Sequence, residues 1–310
     1  MQNKVLVTGA SGFIGSKVVW HLFNLGIDVT AWGRRKVLPP DHLPTGVEYR
    51  SFDLNEPIPP VECSWVIHCA GLASHTASKK ALYDANVIAT QNLLEACSAN
   101  SSFIFISSGS VYPAQDAYFK EEDAQDSSVI PEYGRTKLEA EKVCLRHANR
   151  LNNLFILRPR AVYGPGDNQL LPRLKNLIKG SYFLLPGDGQ NQISMCHVVN
   201  LCVAIEQIIN SSLAGSFVWN VCDDQTYELA KILKPLMQQQ VSVPLKMIHL
   251  PKGLLLLWAH MAEFFGIKSN INIQSLQYLT KSVRLDCSKM KKELGFEPEF
   301  DFWKYLNQGI

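Results

Sequence analysis

The sequence lacks a strong charge of one sign, a long hydrophobic run and a secretion signal. Its 30 Lys and Arg residues nearly balance 28 Asp and Glu residues, for a net charge of +2, which predicts no nucleic-acid partner. No apolar run reaches the roughly 18 residues of a membrane span, because the nearest, 253–267, is interrupted by His260 and Glu263. The first residues, MQNKVLVTGASGFIG, lack the basic and apolar regions of a signal peptide. We therefore expect a globular cytoplasmic protein without transmembrane segments.

Paired cysteine motifs are also missing. The eight cysteines contain no C-x-x-C pair, and their spacing suits neither a zinc site nor a short disulfide framework. Several, such as Cys69 and Cys202, lie in apolar runs, where a thiol behaves as a small hydrophobic side chain. The sequence thus predicts buried, reduced cysteines and no metal site, as is usual in the cytosol.

The 310 residues correspond to one large or two modest domains. In the first half, short β-branched segments alternate with longer helical ones, which is typical of a parallel sheet covered on both faces. The predicted strands are Lys4–Thr8, Asp28–Trp32, Val47–Phe52, Trp65–Cys69, Phe103–Ser107 and Phe155–Leu157. The predicted helices are Gly12–Leu25, Ala81–Ala96 and Tyr133–His147. This order predicts an α/β fold with a Rossmann-type doubly wound parallel sheet.

The pattern changes after Gly164, where turn-rich breaks separate the helical segments. The predicted helices there are Leu171–Lys179, Val198–Ile209 and Glu228–Gln238. We expect a first domain over residues 1–163 and a smaller, mostly helical C-terminal lobe over residues 164–310. Because no clear linker separates them, the chain is expected to return to the sheet of the first domain.

A glycine-rich turn, TGASGFIG at residues 8–15, directly follows the first predicted strand and opens a helix. Glycines there allow a tight bend and a close approach of the backbone to a pyrophosphate, while the helix N-terminus offers free N–H donors. The alternative is a plain turn. The setting favours a dinucleotide site, which makes residues 1–163 the predicted NAD(P)-binding domain. The residues of this turn that are predicted to contact the cofactor are Gly9, Ser11, Gly12, Phe13, Ile14 and Gly15.

The second predicted strand ends in Gly33-Arg34-Arg35 rather than at an acidic residue. A carboxylate at this point binds the ribose 2′-hydroxyl of NAD, whereas an arginine accommodates the 2′-phosphate of NADP. Arg34 and Arg35 therefore favour NADP(H), with NAD(H) as the alternative, unless both are simply solvated loop residues. Asp53, after the third strand, is predicted to contact the adenine. The other predicted cofactor contacts are Leu54, Ala70, Gly71 and Pro159.

Tyr133 and Lys137 are spaced so that they share one face of a predicted helix. A neighbouring ammonium favours the phenolate and lowers the pKa of a phenol from about 10, which suits a general acid and base. Tyr227 and Lys231 have the same spacing but fall in the later lobe, where we predict a structural role. Tyr133 instead follows the fifth strand, near the edge at which doubly wound sheets bind ligands. Both Tyr133 and Lys137 are also predicted to contact the cofactor.

Ordered motifs along nearly the whole chain resemble those of the extended short-chain dehydrogenase/reductase family, also called NAD-dependent epimerase/dehydratases. These motifs are TGASGFIG, VIHCAG at 66–71, NVIATQNLLEA at 86–96, SSGSVY, YGRTK, LRPRAVYGPGD at 157–167 and LDCSKMKKELGFEP at 285–298. The resemblance implies a doubly wound NAD(P) domain with a C-terminal substrate lobe. It also implies that Ser108 is the catalytic serine, with Ser110 as the alternative register. Tyr133 would be the acid/base, Lys137 its partner and Asn86 the active-site asparagine.

The resemblance also bears on the reaction. Dehydratases of this family carry an Asp-Glu pair just after the catalytic Ser or Thr, where this chain has Gly109 and Ser110, so dehydration is not expected. Nucleotide-sugar epimerases usually have an Asn at the position of Ala161 and an Arg near that of Ile193. The later motifs instead resemble the 3β-hydroxysteroid dehydrogenase-like branch, which interconverts secondary alcohols and ketones on largely apolar molecules. Two alternatives stay open: a nucleotide-sugar epimerase or 4-keto-sugar reductase, and a redox-sensing module that binds NADP(H) without turnover.

Four further points concern an apolar C-terminal segment, two histidines and the oligomeric state. The segment Gly253–Phe265, GLLLLWAHMAEFF, is either a hydrophobic substrate wall, a face for peripheral membrane contact or a packed core helix. His260 is interpreted as a packing residue, and His75 as an unassigned pocket candidate. Members of the family often form homodimers through a four-helix interface that would include the Tyr133 helix, so a homodimer is one expectation.

Overall fold

The main sheet has seven parallel strands, which lie side by side in the order Ser216–Val221, Asn153–Pro159, Ser102–Ile106, Trp65–His68, Val5–Thr8, Val29–Gly33 and Glu48–Ser51. The computed structural model describes residues 4–74, 76–126, 129–170, 178–238, 244–255, 257, 277 and 279–307. The seven strands are β1 (Val5–Thr8), β2 (Val29–Gly33), β3 (Glu48–Ser51), β4 (Trp65–His68), β5 (Ser102–Ile106), β7 (Asn153–Pro159) and β13 (Ser216–Val221). The predicted doubly wound parallel sheet is therefore confirmed.

Helices cover both faces of this sheet. They are α1 (Phe13–Asn24), α2 (Lys79–Tyr83), α3 (Ala89–Ala96), α4 (Glu132–His147) and α5 (Val198–Asn210), with a π-helical turn at Asp84–Ile88 between α2 and α3. Helices α1 and α5 pack on one face, and α3 and α4 pack on the other. Successive strand side chains point to opposite faces, so Val5 and Val7 belong to the first apolar cluster and Leu6 to the second. Burial on both sides explains why these strands are almost continuously apolar.

Short strands accompany the helices outside the main sheet. The strands are β6 (Ala117–Phe119), β8 (Val162–Tyr163), β9 (Ile178–Lys179), β10 (Tyr182–Pro186), β11 (Gln192–Ser194), β12 (Cys196–His197), β14 (Thr226–Glu228), β15 (Lys246–Leu250) and β16 (Val283–Leu285). The later helices are α6 (Leu229–Gln238), α7 (Ser288–Leu294) and α8 (Phe302–Asn307), and short 3-10 turns occur at Gly109–Val111, Glu121–Asp123 and Ala148–Arg150. A third apolar cluster joins Phe183 of β10 to Leu233 of α6 and Phe302 of α8.

The predictions for residues 164–310 need two changes. The helices predicted at Val198–Ile209 and Glu228–Gln238 are present as α5 and α6. The helix predicted at Leu171–Lys179 is wrong at its end, because Gly180, with a φ of 61°, allows a tight turn that pairs β9 with β10. Residues 171–177 lie outside the described part. Residues 216–221 form β13, a strand missing from the sequence-based prediction, which brings the chain back to the main sheet beside β7.

One cysteine pair differs from the expectation of reduced thiols. Cys222, directly after β13, and Cys287, directly before α7, form a disulfide. They are 65 residues apart in sequence, so their proximity depends on the fold and not on spacing. The expectation is therefore wrong for these two residues. The other six cysteines are free, and four of them are buried.

Two further predictions concern residues that are only partly described. Within the described ranges, no helix has both the length and the apolar character that crossing a membrane requires. Most of the apolar segment 253–267, including His260, lies outside those ranges, and so does His75.

A buried histidine links the first and fourth strands. The Nδ1 atom of His68 lies 2.7 Å from Oγ1 of Thr8, and its Nε2 atom lies 2.9 Å from Oγ1 of Thr90. The Thr90 hydroxyl donates to the Asn86 carbonyl at 2.7 Å, so it accepts a hydrogen bond from Nε2 of the neutral ring. Burial lowers the pKa of His68 to about 3.

We expect His68 to make the protein less stable in acid. Below the ordinary histidine pKa of about 6.5 the unfolded chain binds a proton that the native ring excludes, so stability falls as the pH drops toward 3. Between pH 7 and pH 5 the protein should lose about 2 kcal/mol more unfolding free energy than a His68→Gln variant. Urea denaturation at the two pH values measures this difference. His197, whose pKa burial lowers to about 4, is present in both proteins and contributes equally to both losses of stability. An equal loss in the two proteins would therefore contradict the prediction for His68.

Candidate functional site

A pocket of about 610 Å³ opens at the carboxyl edge of the main sheet. The loops that follow β1, β2, β3 and β4 form most of its wall, because parallel strands all end at this edge. The residues that were predicted as cofactor contacts and line this pocket are Gly9, Ser11, Gly12, Phe13, Ile14, Gly15, Arg34, Arg35, Asp53, Leu54, Ala70 and Gly71. The described lining does not include Ser108, Tyr133, Lys137, Asn86 or Pro159.

The glycines of the first turn are required by close backbone packing. Gly9 has a φ of 74°, and a Cβ atom on it would lie 2.5 Å from the Ala70 amide nitrogen. A Cβ atom on Gly15 would overlap the Gly9 carbonyl. Helix α1 begins immediately after Gly12, and no side chain caps its first turn. The turn therefore forms a narrow cradle with N–H groups at a helix N-terminus, a geometry that suits a phosphate group.

Two exposed arginines stand at the rim of the pocket, after β2. Their backbone is held in place, because the Tyr49 hydroxyl donates to the Arg35 carbonyl at 2.7 Å and the Ser51 hydroxyl donates to the Arg34 carbonyl at 3.4 Å. Among the described residues, neither guanidinium forms an ion pair with a carboxylate of this chain. Both groups are therefore available to an anion at the rim.

Lys137 lies behind the floor of the pocket. It is buried on α4, its Nζ atom donates to the Ile106 carbonyl at 2.7 Å, and the same atom lies 4.0 Å from the centre of the Phe105 ring. A Cβ atom on Gly71 would lie 3.9 Å from this nitrogen. Burial lowers the pKa of Lys137 to about 8. Tyr133 is half-buried one helical turn earlier.

Asn86 is fully hydrogen-bonded between α4 and the loop after β4. Its Oδ1 atom accepts from the Leu72 amide at 2.7 Å, and its Nδ2 atom donates to Oγ1 of Thr136 at 2.9 Å and to the Leu72 carbonyl at 3.2 Å. The π-helical turn places this side chain inside the protein. A Cβ atom on Gly71 would lie 3.0 Å from its Oδ1 atom. The side chains of Asn86 and Lys137 therefore both lie next to Gly71.

The serine motif forms a turn directly against the start of α4. The half-buried Ser108 caps the 3-10 turn Gly109–Val111, and its Oγ atom accepts from the Ser110 amide at 3.1 Å. A Cβ atom on Gly134 would overlap the Ser110 carbonyl, so only a glycine allows this contact. The structure thus brings the serine turn to the first turn of α4, which carries Tyr133. Pro159, the last residue of β7, is buried beside β13.

Comparison with known proteins assigns a family to this architecture. Residues 5–222 match the sequence profile of the NAD dependent epimerase/dehydratase family. The chain belongs to that family. It is therefore an enzyme of the extended short-chain dehydrogenase/reductase type, as the motifs predict, and NAD is bound in structures of similar proteins.

Individual relatives of the family differ in function. The protein YbjS of Escherichia coli K12 is 29% identical over 99% of this chain and 95% of its own length. A 2-alkyl-3-oxoalkanoate reductase of Stenotrophomonas maltophilia is 30% identical over 65% of this chain and 63% of its own length. Among solved structures, MoeE5 in complex with UDP-glucuronic acid and NAD is 26% identical, with a TM-score of 0.76 over 98% of this chain and 96% of that protein. The relatives therefore include a reductase and a protein that binds a nucleotide sugar.

Several pocket residues of this epimerase/dehydratase chain lie outside the predicted set, and two of them come from a distant part of the chain. Asn168 and Gln169 follow β8 and line the same pocket as the glycine turn. Their loop is ordered by Asp167, whose Oδ1 atom accepts from the Gln169 amide at 2.7 Å. The segment Gly164-Pro165-Gly166-Asp167 indicates such a turn, but it does not indicate which surface the turn covers.

The second tyrosine–lysine pair makes contacts of its own. The Tyr227 hydroxyl donates to Oδ2 of Asp223 at 2.9 Å, and Lys231 pairs with Glu228 at 2.8 Å. Asp223 also accepts from the Tyr163 hydroxyl at 2.7 Å. These contacts agree with the structural role expected for Tyr227 and Lys231.

Proposed function

We propose that this protein is an NADP(H)-dependent oxidoreductase that interconverts a secondary alcohol and a ketone or aldehyde on a small, largely apolar substrate. The observation that carries the proposal is the position of Lys137, whose Nζ atom lies behind Gly71 at the floor of the pocket. One turn earlier on the same helix, Tyr133 adjoins the serine turn. This arrangement supports proton transfer beside a dinucleotide in the pocket.

The lining residues fit such a dinucleotide. The glycine cradle and the N-terminus of α1 would hold the diphosphate, and Asp53, which lines the same pocket, would contact the adenine. Arg34 and Arg35, which form no ion pair with a carboxylate among the described residues, would bind a 2′-phosphate through charge-assisted hydrogen bonds. When bound, NADP(H) supplies or accepts a hydride.

Residues of the chain itself donate and accept the proton. In reduction, Tyr133 donates its hydroxyl proton to the oxygen of a carbonyl whose carbon receives the hydride, so C=O becomes CH–OH and a phenolate remains. The Lys137 ammonium stabilises that phenolate, and its bond to the Ile106 carbonyl fixes its place. Ser108 orients the substrate oxygen. Oxidation follows the same steps in reverse.

The residues near the site favour a ketone over a diphosphate sugar. No carboxylate follows Ser108, because Gly109 and Ser110 occupy the next positions. Ile193, near the position where epimerases carry an arginine, packs against the third apolar cluster. The similarity to a 2-alkyl-3-oxoalkanoate reductase supports a carbonyl on an alkyl-bearing substrate.

A nucleotide-sugar epimerase or 4-keto-sugar reductase is the second candidate. Its support is the structural similarity to MoeE5, which was solved with UDP-glucuronic acid and NAD.

Replacement of Tyr133 tests the reaction directly. We expect Tyr133→Phe to lower kcat/KM about 100-fold or more, because the phenol can no longer supply a proton. NADPH oxidation with a panel of apolar ketones measures the effect. Tyr83→Phe, at an exposed tyrosine of α2, is the matched control and should leave kcat/KM unchanged. Turnover of Tyr133→Phe within severalfold, with NADPH binding intact, would remove the phenol from the mechanism.

The arginine pair tests the choice of cofactor. We expect Arg34→Ala and Arg35→Ala each to raise the Kd for NADPH about tenfold, because each removes a charge-assisted bond to the 2′-phosphate. The Kd for NADH should change little. Side-by-side fluorescence titrations measure both values. Arg50→Ala, at an exposed arginine paired with Glu48 on β3, serves as the control, and equal losses for NADPH and NADH would argue against a 2′-phosphate site.

Thermal stabilisation separates the two candidate functions. We expect no rise in Tm with UDP-glucose or UDP-glucuronic acid, with or without NADPH, because Ile193 stands near the position where epimerases carry the arginine that binds the diphosphate. A clear rise with either sugar nucleotide would favour the epimerase.

A further inference from the structure

A buried ion pair lies behind the proposed reactive residues. Arg158 of β7 and Glu141 of α4 are 5% and 2% exposed, and they pair through Nη2–Oε2 at 2.6 Å and Nε–Oε1 at 3.0 Å. Two parallel bonds of this kind fix geometry as well as charge. Well-packed apolar side chains usually stabilise a fold as well as such a pair does. The presence of the pair is therefore weak evidence for a role in stability alone.

The carboxylate of this pair contacts both elements that carry the reactive residues. Glu141 follows Lys137 by one helical turn and shares its face of α4. The Ser107 hydroxyl, at the end of β5, donates to Oε1 of Glu141. Ser107 is the residue directly before Ser108. One carboxylate thus joins the helix of Tyr133 and Lys137 to the turn of Ser108.

Two further hydrogen bonds hold the Arg158 guanidinium in place. Nη1 of Arg158 donates to the Tyr112 hydroxyl at 2.8 Å and to the Glu121 carbonyl at 2.7 Å. The Tyr112 hydroxyl donates in turn to Oδ1 of Asn220 on β13, at 2.7 Å. Tyr112 and the Glu121 carbonyl therefore hold the Arg158 guanidinium, and Arg158 holds the Glu141 carboxylate.

The groups that face Lys137 come from two elements. Cys144 and Glu141 lie on its own helix, while His68 and Cys69 lie at the end of β4. Burial raises the pKa of Cys69 to about 12, raises that of Cys144 further, and lowers that of His68 to about 3. These three side chains are thus neutral near pH 7. Of these four facing groups, Glu141 is the one that carries a negative charge.

We propose that Glu141 is a positioning residue, which together with Ser107 and Arg158 fixes α4 against the serine turn and keeps Lys137 in its ammonium form beside Tyr133. The effect on turnover rests on the proposed function, whereas the effect on Lys137 does not. Burial already lowers the pKa of Lys137 to about 8, and Glu141 acts against that lowering. Removal of the carboxylate would therefore lower the pKa of Lys137 further.

The protonation of Lys137 can be measured without cofactor. In protein labelled with ¹³C-lysine, the Cε signal of Lys137 reports its titration, and its loss in Lys137→Met assigns it. We expect Glu141→Gln to lower the pKa of Lys137 by about one unit, because a nearby negative charge is removed. Ser107→Ala keeps the carboxylate and should leave this titration unchanged. Ser101→Ala, which removes a buried hydroxyl just before the start of β5 that donates to the Cys63 carbonyl, is the matched control.

The turnover rate tests whether Glu141 and Ser107 position the reactive residues. With NADPH and the best ketone of the panel, we expect Glu141→Gln and Ser107→Ala each to lower kcat about tenfold, since small misplacements of reacting groups are costly. The Kd for NADPH should stay within about twofold, and Ser101→Ala should behave as the parent protein. The basic limb of the kcat profile for reduction should move to lower pH in Glu141→Gln only. A role in stability alone would not move that limb.

The Glu141→Gln variant leaves Arg158 without a counter-ion and can fail to fold for that reason. The double variant Glu141→Gln/Arg158→Gln removes both buried charges and should show a smaller decrease in the pKa of Lys137. An unchanged Lys137 titration in either folded variant overturns the proposal, and so does an unchanged kcat in Ser107→Ala. A lowered pKa of Lys137 in a protein that turns over none of the ketones supports the role of Glu141 and contradicts the proposed function instead.

Discussion

The site depends on one buried contact, between the Lys137 ammonium and the Ile106 carbonyl at 2.7 Å. A cation inside a protein needs partners, and this one finds a carbonyl at the end of β5 and the face of the Phe105 ring. This hydrogen bond fixes the position of α4 along β5, because Lys137 cannot shift along the strand without breaking it. That position places the first turn of α4 on the serine turn and puts the ammonium behind Gly71. The proposed proton donor and the pocket floor are thus set by the same interaction.

The parts of the fold that depend on neighbouring residues follow from the sequence. The glycine turn, the strand before it and the helix after it are encoded in one short segment, and Tyr133 and Lys137 are placed by helical spacing alone. Because parallel strands end at one edge, residues after different strands, such as Gly9 and Arg34, were predicted to meet, and both line the pocket.

Contacts between distant segments leave no such pattern. A glutamate such as Glu141, on a helix with charged neighbours, is typical of a solvated surface, and only the opposing strand with Arg158 shows that it is buried. The disulfide of Cys222 and Cys287 likewise depends on β13 and α7 being adjacent. Strand β13 itself is a short apolar run, which cannot be distinguished from a buried helix segment until its partner β7 is known.

The two kinds of cation at this site serve different tasks because their surroundings differ. Arg34 and Arg35 are exposed at the rim, and guanidinium groups stay charged across the range in which proteins are stable, so an anion can be held there at any working pH. Lys137 is buried, and its pKa of about 8 places its charge within reach of physiological change. Recognition of the cofactor should thus depend little on pH, whereas proton transfer should depend on it strongly. We expect Glu141 to act on proton transfer and not on cofactor recognition, because it lies one helical turn from Lys137 and does not line the pocket.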